Sequence, residues 1–512
     1  MKRKIFILLG IAMILLPNFS LVCHGADSAT KPQYGGVLKV IFPYPLKAMG
    51  YPPNIESTDL YSVLPAIETL TERWPDQPKP GLATGWKIAP DGKSITLELK
   101  KGVKFHDGTD FNAEAVKFNL DLQREAKREE VADLTSVDVV DNYTVRLNLS
   151  KYNNSLLYQL GWLPGLMVSP TSIKTYGRDW ALTHGVGTGP FKVVDFKRNV
   201  SVKFERFDGY WDKGKPYLDG IEIRFILNPM TAKASFLAGE AHILWYSTSK
   251  DPTILHDIKQ RGGYEVAIID GGVVGLVPDS RNPDSPFAKR QVREALEYAI
   301  DRPTMVKGLS YGLWRVLTQP CPEGYPAYNP NIKPRTYNPQ KAKDLLAEAG
   351  YRNGFETSIT SAPTVNQDAM LAIQRYLSQV GIDAKVQQVD PGKWAQIRFE
   401  GHKGLFLNTM FAPYGNYASS LERNIPAHYT SFPTLLRPAG YGEALSRALG
   451  ARDLETEKKL NQEVLKVIYD DAMWMGVLSG MVAAAKQPGV QGDGNCVPSY
   501  LTWTPANAWL SK

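Results

Sequence analysis

Cysteine is scarce in this chain. Three cysteines occur among 512 residues, Cys23, Cys321 and Cys496, which excludes a small scaffold held together by many disulfides. Cys321 and Cys496 lie far apart in the sequence, and their spacing does not show whether their Cβ atoms meet. One disulfide between them and two separate thiols are both compatible with the sequence.

Long hydrophobic runs are also lacking. Two apolar stretches stand out: residues 5–16, and residues 473–485, which Ser479 and Gly480 interrupt. A helix needs about 20 apolar residues to cross the hydrocarbon core of a bilayer. Neither stretch reaches that length, so no permanent membrane span is predicted, and residues 473–485 are interpreted as buried core.

An excess of charge of one sign is missing too. Lys and Arg number 59 against 52 Asp and Glu, which gives a formal net charge of +7, and residues 2–4 supply three of the positive charges. A nucleic-acid-binding protein concentrates Lys and Arg on one face or stripe. Here the remaining excess is small and scattered, so no nucleic-acid partner is predicted. Residues 124–130 mix both signs and are interpreted as a solvated helix face.

The N-terminus has the layout of a secretory signal. Three basic residues at positions 2–4 precede the apolar residues 5–16, and a polar passage ends at Gly25. We predict a signal peptide over residues 1–25, cleavage after Gly25 and a periplasmic location. Acylation of Cys23 would instead give a lipid-anchored protein; this alternative is less favoured because Val22, directly before it, is not a small residue.

Helical and strand periodicities both occur in this chain. Its 512 residues exceed the usual size of one domain. Period-two alternation of apolar residues predicts strands, recurrence at i, i+3, i+4 and i+7 predicts helices, and Asn112 is a predicted helix N-cap. We therefore expect an α/β protein with several mixed sheets and at least two lobes. The predicted strands cover residues 95–99, 143–149 and 221–227, and the predicted helices cover residues 292–300, 370–380 and 460–468.

Complete catalytic motifs are absent. Residues 308–312 match the G-x-S-x-G pattern, but a nucleophile elbow needs a strand before the serine, and a helical pattern precedes Ser310. The seven histidines lack the helical spacing of a zinc hydrolase, and no phosphate loop or dinucleotide fingerprint has its full spacing. No enzyme, cofactor or metal site is predicted. A secreted serine hydrolase that uses Ser310 is the least favoured alternative.

Aromatic side chains, by contrast, are abundant. The chain contains 11 Trp, 25 Tyr and 18 Phe. Most aromatic side chains in a globular protein belong to the core, but some can line a ligand cleft between lobes. For a large exported chain without catalytic motifs, binding is therefore favoured over catalysis.

Several blocks of sequence resemble the extracellular solute-binding proteins of family 5, the receptors of peptide and nickel ABC importers. They occur in the family's order from about residue 35 to the C-terminus. The stretch from Gly81 through Gly85-Trp86 and Asp91-Gly92 to residues 102–108 is very similar to the family signature. The other blocks are residues 35–40, 187–193, 208–211, 216–219, 286–302 and 338–351.

The resemblance implies a type II-like periplasmic-binding-protein fold, with two large lobes, a hinge and a smaller inserted domain. A ligand would be enclosed between the lobes by hinge closure and delivered to the transmembrane subunits of an ABC permease. A monomer without ATP binding is expected. The implied division is domain I over residues 35–65, 181–280 and 489–512, domain II over residues 66–180, and domain III over residues 281–488.

One segment departs from the family pattern. Peptide-binding members carry an acidic residue in a W-x-x-D-Y-x-D-P-like segment, where it meets the peptide's α-ammonium group. The corresponding residues 408–417 contain no Asp. Because an unpaired buried ammonium costs several kcal/mol, either another acid substitutes or the ligand has no free amine there. The expected ligand is a peptide or a similar small polar organic solute, and the alternative is nickel or a metal chelate.

The resemblance also suggests candidate ligand-binding residues. Those in residues 408–417 would form a neutral lining or an ordinary polar loop, and Arg423 would bind a carboxylate or lie on the surface. The aromatic residues outside that segment lie where the cleft residues of the family tend to occur. The candidates are Tyr44, Trp245, Tyr246, Trp394, Tyr414, Asn416, Tyr417 and Arg423.

Overall fold

The structure is a computed structural model that describes residues 31–74, 77–248, 250–411, 416–492, 494, 503 and 505–511. The predicted signal peptide, Cys23, Tyr414 and Cys496 lie outside these residues. No helix in the described ranges is both long enough and apolar enough to cross a membrane.

The helices begin where the sequence provides caps. Asn112, the predicted N-cap, accepts a hydrogen bond from Ala115 N through its side chain. Four other helices start with a capping Ser, Asn or Asp followed by proline at the first helical position, a combination that favours helix initiation. The α-helices are α1 Leu60–Val63, α2 Ala113–Glu125, α3 Ser155–Gln159, α4 Pro170–Ala181, α5 Pro229–Leu237, α6 Thr253–Arg261, α7 Arg290–Ala299, α8 Arg302–Ser310, α9 Pro339–Glu348, α10 Gln367–Ser378, α11 Pro391–Glu400, α12 Tyr417–Asn424, α13 Tyr441–Leu449 and α14 Leu454–Asp470.

The strands alternate with these helices along the chain, and short 3₁₀ helices lie between them. The strands are β1 Val37–Phe42, β2 Thr71–Arg73, β3 Pro78–Pro80, β4 Ala83–Ile88, β5 Ser94–Leu99, β6 Leu134–Asp141, β7 Thr144–Leu149, β8 Phe191–Lys197, β9 Ser201–Arg206, β10 Gly220–Phe225, β11 Ile243–Ser247, β12 Glu265–Pro278, β13 Trp314–Val316, β14 Phe355–Ser361, β15 Ile382–Gln388, β16 Leu405–Phe411, β17 Met475–Lys486, β18 Val490–Gln491 and β19 Trp509–Leu510. The 3₁₀ helices are Pro52–Asn54, Glu129–Val131, Leu163–Gly165, Pro286–Ala288 and Pro505–Asn507.

One large mixed sheet runs through most of the protein. Its strand order is β15-β14-β16-β12-β17-β11-β1-β10-β9-β8, and β13 pairs with β17 beside this path. Strands β1, β10 and β11 are parallel to one another at one end, and β14, β15 and β16 are parallel at the other end. The two parallel groups are joined by the antiparallel strands β12 and β17.

Strands β12 and β17 are the longest in the described part of the chain. The first half of β12 pairs with the second half of β17, which also pairs with β11, and the second half of β12 pairs with β16. The β12–β17 register shifts between Asp270 and Val273, around Gly271 and Gly272, and shifts again between Val274 and Gly275. These irregularities lie where the sheet passes from one parallel group to the other.

A separate four-stranded antiparallel sheet has the order β4-β5-β7-β6. Alternating side chains of its strands, among them Ile95, Leu97 and Leu147, are buried, and helix α2 packs on the same core. The buried members of this small core all come from residues 70–167. We call residues 70–167 the insert.

The main sheet is covered by other hydrophobic cores. At its β1, β10 and β11 end, successive residues of a strand point to opposite faces, so Trp245 joins one core and Tyr246 joins the core on the other face. The buried members of the largest core come from residues 273–478. This core, which we call the large core, is separate from the small core of the insert.

Most of the predicted elements are present. The predicted strands correspond to β5, β7 and β10, the predicted helices to α7, α10 and α14, and residues 473–485 lie largely in the buried strand β17. The interpretation of residues 124–130 as one solvated helix face is wrong, because helix α2 ends at Glu125 and Lys127 has a positive φ of 54°. These residues therefore form a helix end and a turn instead of one continuous helix face.

Candidate ligand-binding site

The first wall of the candidate site lies at the carboxyl ends of β1 and β11. These strands are parallel, so the residues that follow them, Tyr44 and Thr248, emerge at the same edge of the sheet. In α/β proteins, ligands bind in the crevice outside the carboxyl ends of parallel strands. The sheet order thus places Tyr44 at a typical binding position.

The second wall lies at the carboxyl ends of β14 and β16, which are also parallel. Thr364, in the turn after β14, lies with its hydroxyl 3.3 Å from the hydroxyl of Thr409 in β16. Gln388, at the end of β15, donates from its side-chain amide to the carbonyl of Val365 at 2.9 Å. This second edge therefore presents mainly hydroxyl and amide groups.

The two edges come into contact through residues that lie more than a hundred positions apart in the sequence. The side-chain Nδ2 of Asn366 donates to the carbonyl oxygen of Lys250 at 2.9 Å, and its Oδ1 accepts from Ala369 N at the start of α10. One side chain thus caps a helix and bridges the two walls. We call the space bounded by residues 42–44, 245–251, 361–366 and 408–411 the cleft.

The first wall is aromatic. The ring of Tyr44 lies 5.7 Å from that of Trp245 and 5.5 Å from that of Phe42 in edge-on contacts. Behind them, Tyr61 stacks on Phe42 at 4.7 Å and on Trp503 at 4.6 Å. Tyr44 is half-buried while its neighbours are buried, so packed aromatic rings hold one partly exposed ring in place.

The electrostatics of the cleft are close to neutral. Lys250 and Asp251 are the only charged residues in the four segments that bound it, and the Asp251 carboxylate accepts hydrogen bonds from Thr253 N and Oγ1 at the start of α6. Burial, with smaller contributions from Asp251 and Tyr44, raises the pKa of Tyr246. The Tyr246 hydroxyl is therefore neutral at physiological pH and able to donate or accept a hydrogen bond.

Trp394 is held next to the second wall. Its indole Nε1 donates to Asn408 Oδ1 at 2.9 Å, and the Asn408 side chain is buried in β16. Because neighbouring residues of a strand face opposite sides, Asn408 and Thr409 point away from each other. Trp394 thus supports the end of β16 from the face opposite to Thr409.

The structure places Asn416 and Tyr417 in other surroundings. Asn416 caps α12 by accepting from Ser419 N, and its Nδ2 donates to Asn154 Oδ1 in the insert. Tyr417 belongs to the large core, is 2% exposed and donates its hydroxyl to Pro320 O. These residues begin a helix, which corrects the polar-loop interpretation, and neither is exposed to the cleft in this conformation.

Arg423 lines a different cavity, of about 330 Å³, between the insert and residues 419–430. The side chain is exposed. Glu422 and His428 line this cavity from the same side, and Gln159 lines it from the insert. Of the candidate residues in the described ranges, the structure therefore brings Tyr44 and Trp245 into ring contact and places Tyr246 on the other face of β11, where Tyr44 still influences its hydroxyl. Trp394 lies behind the opposite wall, and the other three candidates are separated from the cleft.

The catalytic alternative is not supported by the local geometry. Helix α8 leads directly into Ser310, as the sequence predicts, and the buried Ser310 Oγ accepts from Gly312 N at 3.1 Å. The described ranges contain no cluster of three or more His, Cys, Asp and Glu side chains that could hold a metal ion. Cys321 is buried, and Cys496 lies outside the described residues, so one disulfide and two separate thiols both stay open.

The family model for bacterial extracellular solute-binding proteins, family 5, matches residues 77–424. The chain belongs to this family. It is 30% identical over 428 residues to the glutathione-binding protein GsiB of Shigella flexneri, a match that covers 80% of this chain and 82% of the relative. The predicted family and the predicted role of a solute-binding protein are confirmed.

Solved structures share the fold. The periplasmic binding protein DppA of Helicobacter pylori, in complex with the peptide STSA, aligns with a TM-score of 0.76 at 23% identity, covering 94% of this chain and 99% of the other. NikA of Brucella suis, in complex with Fe(III)-EDTA, aligns with a TM-score of 0.77 at 24% identity, covering 92% and 98%. The predicted α/β fold with two lobes is confirmed for this family 5 protein.

Three polar residues of the cleft were not predicted from the sequence: Thr364, Asn366 and Thr409. Asn366 left a readable signal, because an Asn that follows a strand and precedes an amphipathic run is a typical helix N-cap. Its second role, the bond to Lys250, joins residues 116 positions apart. No sequence pattern indicates that contact.

Proposed function

We propose that this family 5 protein captures a peptide or a similarly sized polar organic solute in the cleft and delivers it to the permease of an ABC importer. The observation that carries the proposal is the meeting of two parallel-strand edges at Asn366 and Lys250. Both walls are then positioned to contact a ligand at once. The names of relatives, which refer to glutathione, a peptide and a metal chelate, support small polar ligands of this size.

The lining indicates the chemistry of the ligand. Aromatic rings on one wall and neutral hydroxyl and amide groups on the other favour stacking and hydrogen bonds over ion pairs. Residues 408–417 contain no Asp, and a buried ammonium without a partner is costly. We therefore propose that the ligand has no free α-ammonium group at the end of β16.

Ligand capture requires a hinge, and we place it in β12 and β17. These strands connect the two parallel groups, and their register is irregular around Gly271 and Gly272. An irregular ladder near glycine bends at lower cost than a regular one. Domains I and II on one side, and domain III on the other, would close about this hinge. We place the boundary between domains I and III within β12 and β17, in place of the predicted boundaries at residues 280 and 488 just after these strands, because the two ends of the main sheet pack in separate cores.

The remaining assignments follow from the same role. We propose a monomeric, non-catalytic protein, exported by the signal peptide over residues 1–25 and active in the periplasm. The signal-like N-terminal sequence and membership of an extracellular family support this location.

Native mass spectrometry of the signal-free protein, compared with the same sample after denaturation, tests the proposal. We expect a retained organic molecule of peptide size. A ladder of masses spaced by amino-acid residues would show peptide binding despite the missing Asp, whereas retained metal would favour the nickel or chelate alternative. If the protein is empty and a broad peptide and solute screen shows no saturable binding, the proposal is wrong.

A variant locates the site. Tyr44→Ala removes the partly exposed ring of the first wall and is expected to weaken binding of the retained ligand about fivefold, because one aromatic contact contributes on the order of 1 kcal/mol. Tyr176→Ala is the control, since Tyr176 is exposed in α4, outside the segments that bound the cleft. Calorimetric titration measures both, and equal affinities of the two variants would place the ligand elsewhere.

A further inference from the structure

The insert contacts the part of the protein that surrounds the large core. Tyr158 in α3 donates its hydroxyl to Glu457 Oε1 in α14 at 3.1 Å. Asn154 donates from Nδ2 to Ala448 O at 2.9 Å, and its backbone N–H donates to Leu449 O at 2.9 Å. Asn154 Nδ2 also lies 3.4 Å from Glu457 Oε2. A buried carboxyl group thus occupies the centre of a polar contact.

This contact joins two bodies with separate cores. Asn154 and Tyr158 flank Leu156 and Leu157, which pack in the small core of the insert. Val464, Leu465 and Ile468 anchor α14 in the large core. Each body buries its own apolar side chains, so the polar contact is not needed to form either core.

The surroundings of Glu457 are poor in positive charge. The titratable groups that act on it are Tyr152 and Tyr158 from the insert and Asp453 at the start of α14, while Arg452 interacts with Tyr152. Arg452 does not bond to Glu457; it donates to Pro90 O at 2.5 Å. Burial, opposed by the hydrogen bond from Tyr158 and reinforced by Asp453, raises the pKa of Glu457 to about 7.

We propose that Glu457 is a positioning residue that latches the insert to the second lobe in the closed conformation, and that it takes up a proton when this contact forms. The proposal rests on the proposed closure of the lobes about β12 and β17. Separation of the lobes would remove Tyr158 and Asn154 and return the Glu457 carboxyl group to water.

The direction of the pH effect follows from the movement of the Glu457 carboxyl group between water and the buried contact. In the open conformation the group titrates near its ordinary value, and in the closed one it titrates higher. At a pH below both pKa values, the carboxyl group is neutral in both conformations, so closure requires no uptake of a proton. As the pH rises from about 5 to 7, the open form loses its proton first. The ratio of closed to open protein therefore falls over this window, on the order of tenfold or more.

Distance measurements between spin labels on the insert and on α14 test the latch without any ligand. Labels attached through a non-natural amino acid at the exposed positions Glu125 and Lys459 avoid the cysteines. For the ligand-free protein we expect short and long distances, with the short fraction decreasing from pH 5 to pH 7.5. In Glu457→Gln, which keeps an acceptor for Tyr158, this dependence should disappear and the short fraction should be larger than in the unsubstituted protein at pH 7.5.

Two further variants separate the latch from a general structural role. Tyr158→Phe should lower the short fraction at every pH while the pH dependence remains. Glu463→Gln, on the same helix, is the matched control, because the Glu463 side chain is partly exposed and pairs with Arg447 at 3.1 Å, away from the insert contact; it should behave like the unsubstituted protein. A pH dependence that persists in Glu457→Gln, or a single distance at all pH values, would overturn the latch. Neither result depends on the identity of the ligand. Failure of the latch is therefore distinguishable from a failed ligand screen, which would contradict the proposed function.

Discussion

At the residue scale, buried ionisable side chains depart most from their ordinary chemistry. Burial lowers the pKa of His402 and of His106 to about 4, and raises the pKa of Glu68 to about 7. His402 shows how the neutral form is selected: Nε2 lies 2.9 Å from Val277 O, and Nδ1 lies 3.2 Å from the Thr434 hydroxyl. A neutral imidazole donates from one nitrogen and accepts at the other, and this arrangement satisfies both.

His402 should therefore destabilise the protein in acid. Its pKa is lower in the folded protein than in the unfolded chain, so the unfolded chain binds the proton first and stability falls as the pH decreases from about 6.5 to 4. In His402→Gln, whose amide can still donate to Val277 O, we expect a smaller drop in the melting temperature between pH 7.5 and pH 4.5, by about 5 °C. Differential scanning calorimetry measures this difference.

His428→Gln is the control for this prediction, because His428 is exposed and its substitution should leave the acid sensitivity unchanged. If His402→Gln and the unsubstituted protein lose the same number of degrees, protonation of His402 does not limit acid stability. At pH 4.5 an Asp with an ordinary pKa is mostly ionised and a Glu is about half protonated. All variants share these carboxyl groups, so their effect cancels when the variants are compared.

At the element scale, β12 and β17 connect the architecture to the cleft. β12 pairs with β17 in regular register from Glu265 to Asp270, and the register then shifts twice before Gly275, with Gly272 in the irregular stretch. A Cβ atom at Gly272 would lie 2.2 Å from Thr409 Cγ2, well inside van der Waals contact. The absence of a side chain at Gly272 thus allows β16 and the second wall of the cleft to approach β12.

Gly272→Ala is accordingly expected to displace Thr409 and to weaken ligand binding by about tenfold. Its free energy of unfolding should also fall by roughly 1–3 kcal/mol, which is typical of overpacking. Calorimetric titration with the copurified ligand and thermal unfolding measure the two effects. Gly308→Ala is the matched control: nothing lies within 4 Å of a Cβ atom there and the position is helical, so stability should rise slightly. Unchanged affinity in Gly272→Ala would remove the second wall from the binding site.

At the scale of the whole molecule, the separate cores and the connecting strands favour motion of intact bodies. The large core and the small core have no buried member in common, and rigid-body closure about a few irregular positions preserves the packing of each. Contacts at two places cross between the moving parts: Asn366 to Lys250 at the cleft, and a group of contacts at the insert that includes Tyr158 to Glu457.

Closure should be visible in solution scattering. Protein unfolded in denaturant, freed of ligand and refolded should have a larger radius of gyration than the same protein after addition of the copurified ligand, because the ligand binds both walls and favours the closed conformation. Small-angle X-ray scattering measures both samples. Identical scattering curves, with binding verified by titration, would contradict capture by lobe closure.

Local patterns were sufficient for many elements of this protein. The alternation in residues 95–99 and the Asn112 cap are interactions between near neighbours in the chain, and both are present in β5 and α2. The family and the two-lobed α/β fold were predicted because the family motifs lie in short, ordered blocks of sequence, and Tyr44 and Trp245 were predicted from their positions relative to those blocks. The alternation and the helix cap depend on near neighbours in the chain and little on the rest of the fold.

The surroundings of the other site residues depended on the tertiary structure. Asn416 and Tyr417 share a segment with the cleft residue Thr409, yet one contacts Asn154 in the insert and the other packs in the large core. The partners of Asn366 and Glu457 lie more than a hundred residues away. Such contacts depend on the order of strands in the main sheet and on the relative position of separate cores, which arise only when the whole chain has packed.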